Sequence, residues 1–87
     1  MARLKKRPYP HNSDILNAML RVFSREPFIK PMDFPDKVRE ELRKEGFYVG
    51  LVSTKRIWRI YEDAVRRGFI YDYLGVVIGY GNEYWEE

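Results

Sequence analysis

The sequence predicts an α+β fold: three helices, then a β-hairpin, with an extended basic arm in front. Three observations carry this. Apolar residues recur at helical spacing in three segments separated by Pro27 and Gly46. The stretches "FIYDY" and "VVIGYG" flank the dipeptide "LG", the pattern of two short strands around a turn. Pro8 and Pro10 forbid a helix near the start and favour extended backbone. The chain has 87 residues, enough for one domain, divided into an arm at 1–12 and a body at 13–87.

The first helix is predicted over "SDILNAMLRVFSRE", capped by Ser13 or Asn12, with Asp14 in the first turn where the helix dipole favours an acid. Ile15, Leu16, Met19, Leu20 and Phe23 form its apolar stripe, and Pro27 stops it. "FIKP" is long enough only for an isolated extended piece. The second helix is predicted over "DFPDKVREELRKEG". Asp33 is its cap, and Pro35 is tolerated in a first turn that needs no intrahelical donor. Phe34, Val38 and Leu42 face inward, and Gly46 ends the helix in a left-handed conformation. "FYVGLV" is a partly buried connector.

The third helix is predicted over residues 53–67. Ser53 caps it, and Val52 and Ile57 fit a hydrophobic staple. Ile57, Ile60, Tyr61, Ala64 and Val65 line its inner side, and Gly68 stops it. Val76, Val77 and Ile78 are β-branched and suit the second strand of the hairpin.

Composition excludes several function classes. There is no cysteine, so no disulfide framework, thiolate metal site or Cys nucleophile. No apolar run is long enough to span a bilayer, and the basic start is not followed by an apolar signal core. A cytoplasmic protein is the expectation. His11 is the sole histidine and has no partners spaced for a metal or for catalysis. "GYGN" follows no βαβ pattern and is no dinucleotide fingerprint. Ser13, Ser24 and Ser53 read as capping or surface residues. Glu40 and Glu41, and Glu86 and Glu87, are adjacent at positions expected to be exposed and suggest no acid/base pair. No enzyme activity, cofactor or small-molecule ligand is expected.

Net charge is +3, unevenly placed. Arg3, Lys5, Lys6 and Arg7 make residues 1–12 wholly basic, and residues 13–52 are balanced. Lys55, Arg56, Arg59, Arg66 and Arg67 outnumber Glu62 and Asp63 in the third helix, and residues 68–87 carry acids only. Such asymmetry steers a polyanion toward one face.

The element order, with "AVRRGFIYD" leading from the third helix into a strand, resembles the winged helix-turn-helix superfamily over roughly residues 13–80. The resemblance implies that the third helix enters the DNA major groove, that the hairpin is the wing, and that Phe28 and Ile29 pair with the wing strands. It also implies a small transcriptional regulator, acting as a dimer. Two departures stand out. The connector from Gly46 to Ser53 is longer than a compact turn. The wing segment contains no Lys or Arg.

Helix-turn-helix readers contact bases with the start of this helix. Thr54, Lys55, Arg56 and Arg59 are chemically suited to base edges and phosphates, Arg66 and Arg67 to the backbone. Arg3, Lys5, Lys6 and Arg7 suit phosphates or a minor groove. The plain alternative is a solvated face, with Arg59–Asp63, Glu62–Arg66 and Asp63–Arg67 pairing within the helix. Trp58 reads first as a boundary core residue and second as an exposed anchor. Tyr84 and Trp85 are the expected dimer contact. Double-stranded DNA is the expected partner. A protein-interaction module and an RNA binder are the alternatives.

Overall fold

A computed structural model describes residues 7–77, and among these the fold is all-α, with three helices and no strand. Helix α1 spans Asn12–Arg25, α2 Phe34–Lys44 and α3 Thr54–Arg66. Helix α1 packs against both of the others. No helix is long and apolar enough to cross a membrane among the described residues.

The helix ends follow local chemistry. Helix α1 begins one residue earlier than predicted. His11 is the N-cap position, and its amide donates to the Asp14 carboxylate at 2.9 Å, so neither Ser13 nor Asn12 caps. Asp33 stands before α2 but its side chain makes no cap hydrogen bond. Ser53 does cap α3, its Oγ accepting from the Arg56 amide at 3.0 Å. Helices α2 and α3 end alike. Gly46 and Gly68 have φ of 93° and 82°, a left-handed conformation costly for a residue with a Cβ. The Phe47 amide then donates to the Leu42 carbonyl and the Phe69 amide to that of Ala64, satisfying carbonyls the helices leave open.

The core joins one stripe from each helix. Ile15, Met19, Phe34, Val38, Leu42, Ile57, Tyr61 and Val65 are fully buried. In α1 the stripe is rotated from the predicted one. Ala18 and Val22 are buried, Leu16 is half-buried, and Leu20 faces solvent. Aromatic rings fill the centre. Phe23 stacks on Phe34 with centroids 4.9 Å apart, and Tyr61 meets Phe34 edge-on at 5.4 Å. Trp58 packs on Phe34 and Tyr61 and is half-buried, a boundary core residue.

The predicted α+β class is overturned by residues 69–77, which form bends and turns instead of a hairpin. Ile78 to Gly81, the rest of the predicted strand, lies outside the described residues. The cause is a competition for backbone donors. The Asp72 carboxylate accepts from the amides of Gly75, Val76 and Val77 at 2.9, 3.3 and 3.0 Å. Those amides would otherwise be available to a partner strand. The Tyr61 hydroxyl donates to Asp72 at 2.5 Å and accepts from the Leu74 amide at 3.1 Å. A short carboxylate offering the backbone a local alternative defeats the β-branched residues. Among the described residues Phe28 and Ile29 pair with no strand. Phe28 lies exposed in a turn between α1 and α2, and Ile29 follows it, half-buried, in irregular backbone.

Burial pushes the Tyr61 hydroxyl pKa up, and the hydrogen bond to Asp72 adds to this. At Asp72 burial acts upward, but the bonds from Tyr61, Val77, Val76 and Gly75 outweigh it and hold the carboxyl below its usual range.

Glu41 also departs from expectation. It is 4% exposed, not a surface residue. It accepts from Arg21 Nε at 3.2 Å and from Arg25 Nη1, with Lys44 Nζ 3.8 Å away. Burial works upward on its carboxyl, and the bonds from Arg25 and Arg21 reverse this, leaving the pKa below 4.5. The link ties α2 to the end of α1.

Two outcomes are expected. Tyr61→Phe removes the hydroxyl shared by Asp72 and Leu74 and destabilises the fold by about 1.5–3 kcal/mol in urea unfolding. Glu41 has a folded pKa below its unfolded value of 4.5. Its stabilisation is therefore complete above that value and is lost as pH falls through the folded pKa. Glu41→Gln lowers stability at neutral pH and flattens the acid side of the stability profile, measured by thermal unfolding across pH.

Candidate nucleic-acid interface

Helix α3 turns Ile57, Tyr61, Ala64 and Val65 into the core, which leaves its other side to solvent. The Ser53 cap and the burial of Val52 and Ile57 fix where the helix starts. The residues proposed to read DNA follow directly, and the structure places them in three different situations.

Lys55 and Arg59 stand one turn apart and are exposed. Neither has a hydrogen bond or ion pair among the described residues. The expected Arg59–Asp63 pair does not form, because Asp63 accepts from Arg67 at 3.0 Å. The Glu62–Arg66 pair does form, at 2.8 Å. Arg66 and Arg67 are therefore ion-paired with acids of their own helix. Exposed pairs of this kind contribute about 0.3–0.5 kcal/mol and exchange readily for a phosphate.

Thr54 lies toward α2. Its Oγ1 accepts from Arg39 Nη2 at 3.2 Å, and the same guanidinium donates to the Val52 carbonyl at 2.9 Å and to Asp36 at 2.9 Å. Arg39 thus fastens the start of α3 to α2. The Asp36–Arg39 spacing is a legible signal for one of these bonds. The cross-element bonds have none.

Arg56 lies toward the arm. Its Nη2 donates to the Pro10 carbonyl and to Asn12 Oδ1, both at 3.1 Å. The Tyr48 amide donates to the Pro8 carbonyl at 2.9 Å, and the Tyr9 and Tyr48 rings lie 5.4 Å apart. Pro10 is buried. The arm is therefore docked from Pro8 onward, and it joins the body beside the start of α3. Arg7, exposed, precedes this docked stretch. Arg3, Lys5, Lys6, Tyr84 and Trp85 lie outside the described residues.

The rest of the predicted apparatus is absent among the described residues. No wing accompanies α3, and residues 69–77 offer no base. His11 sits 3.6 Å from Asp14, as a helix-start pair, and no group of His, Asp and Glu is placed to hold a metal ion among the described residues. Comparison of the chain with family models, curated proteins and solved structures finds no match.

Arg56→Ala removes two bonds that hold the arm, while Lys55→Ala removes none. Hydrogen exchange at the Tyr48 amide is expected to accelerate about fivefold in the Arg56 variant, the equivalent of about 1 kcal/mol, and to stay unchanged in the Lys55 variant.

Proposed function

We propose that this chain binds double-stranded DNA, with the start of α3 in the major groove and the N-terminal arm along the adjoining backbone or minor groove, and that it serves as a small transcriptional regulator. One observation carries the reading. Arg56 and Tyr48 hold Pro10 and Pro8 beside the start of α3, so the basic segment joins the body at the helix end that carries the unpartnered pair Lys55 and Arg59. Without that docking the two basic segments would be independent.

A wing is not needed for this mode. A helix in the major groove and an arm in the neighbouring minor groove suffice for three-helix readers. In this arrangement Arg59 bonds guanine O6 and N7, and Lys55 bonds guanine or phosphate. Thr54 touches phosphate from the α2 side. Arg56 orients the arm and keeps donors for a phosphate. Arg66 and Arg67 meet backbone phosphates by exchanging their acidic partners. Arg3, Lys5, Lys6 and Arg7 neutralise further phosphates, each adding about 0.9 to the slope of log affinity against log salt.

A second reading is supported by exposed apolar side chains. Phe28, Met32 and Tyr71 are 94%, 80% and 70% exposed, and each offers an anchor to a protein partner.

Fluorescence anisotropy with a labelled random duplex separates the readings. Lys55→Ala combined with Arg59→Ala is expected to weaken binding at least tenfold with the fold intact. Replacing Arg3, Lys5 and Lys6 by Ala is expected to lower the salt slope by about 0.9 for each phosphate left without its cation. No binding by the unaltered chain at low salt, or equal affinity in the variants, contradicts the proposal. Preferential competition by structured RNA assigns the same face to RNA.

A further inference from the structure

Two tyrosines stand where the arm meets the body. Tyr9 is 61% exposed and Tyr48 43%, and their rings lie 5.4 Å apart at an angle of 38°. Tyr9 sits between two anchored prolines. The Pro8 carbonyl accepts from the Tyr48 amide at 2.9 Å, and the Pro10 carbonyl accepts from Arg56 Nη2 at 3.1 Å. Pro10 also confines Tyr9 to extended backbone. The backbone that carries this exposed ring is therefore set before any ligand arrives, and a tyrosine has only two side-chain torsions left to fix.

Gly50 shows what seats the second ring. It is not among the glycines with positive φ, so its backbone conformation does not call for glycine. A Cβ at residue 50 would instead overlap Oη and Cζ of Tyr48. The missing Cβ is the space in which the end of the Tyr48 ring lies.

The two rings stand in basic surroundings. Arg56 reaches the arm beside Tyr9, and Arg7 is exposed two residues before it. The first turn of α3 carries no acid, and its Lys55, with Arg59 one turn on, has no partner among the described residues. A ligand that suits both the charge and the rings has a polyanionic backbone and flat apolar faces open to contact. Inside a duplex the faces of the bases are taken up by the stack, and only an unpaired base presents them. We infer that Tyr9 and Tyr48 stack an unpaired base of DNA, so that the chain prefers a duplex interrupted by a single-stranded stretch to a continuous one. This rests on the DNA-binding reading and adds to it the form of the target. Lys55 and Arg59 hold the duplex part, and the tyrosines take the adjoining strand.

The test is fluorescence anisotropy of the full chain with a continuous duplex and with the same duplex carrying a single-stranded gap of about five nucleotides. The gapped form is expected to bind about tenfold tighter. Tyr9→Leu keeps apolar bulk at an exposed position and removes the ring. Gly50→Ala pushes the Tyr48 ring aside and leaves every charge in place. Each is expected to bring the ratio of the two affinities close to one. Lys55→Ala combined with Arg59→Ala is expected to weaken binding to both forms and to keep the ratio. Thermal unfolding of the variants accompanies the titrations, and Tyr9→Leu, which removes no hydrogen bond, decides the matter even where Gly50→Ala loosens the fold. Equal affinity of the unaltered chain for the two forms, or a preference that survives Tyr9→Leu, overturns the stacking and leaves duplex binding standing. Binding to neither form sinks the DNA reading and the stacking with it.

Discussion

The fold depends most on the hydroxyl of Tyr61. Its ring is wholly buried against Phe23, Phe34 and Trp58. A buried hydroxyl left without partners is costly, so its two bonds must be found locally. Asp72 accepts its proton and the Leu74 amide supplies the second bond. Asp72 has acceptor capacity left, and three further amides use it. One buried tyrosine thereby pins the chain after α3 as a loop. That loop brings Ile70 into the core and Leu74 and Val77 against it.

Helix α3 then has one committed side and one free side. Its inner residues meet α1 and α2, and its flanks are held by two arginines acting in opposite directions. Arg39 draws the helix start to α2 through Thr54 and Val52, and Arg56 draws the arm to it through Pro10 and Asn12. Lys55 and Arg59 remain outside this scheme. The bases of the helix thus divide into those that build the domain and those open to a ligand, and neighbours in sequence fall into different groups.

The three helices are legible in the sequence because their signals are local. Apolar spacing, the Ser53 cap and the two glycine stops act within a few residues of themselves, and the structure contains each of them. Among the described residues no hairpin forms, because Val76 and Val77 favour a strand only while their amides are free. Asp72 takes those amides, and nothing in the local pattern shows that Tyr61 will hold Asp72 in place. Glu41 does carry a signal of its burial. It lies three residues after Val38 and beside Leu42, on the edge of the apolar stripe, and Arg21 and Arg25 recur at helical spacing on α1. In the candidate site the excess of bases is legible, but the roles of Arg56 and Arg39 are not. Their partners lie far away in sequence, and no spacing rule joins residue 56 to residue 10.

The central claim is that the Tyr61–Asp72 bond replaces a hairpin with a carboxylate-centred loop. Nuclear Overhauser effects over residues 69–77 test it most directly. The account predicts no cross-strand Hα pairs, slowed exchange of the Gly75, Val76 and Val77 amides, and an Asp72 carboxyl that titrates below 3.8. Cross-strand Hα pairs between residues 69–73 and 76–77, with Asp72 titrating normally, would contradict it.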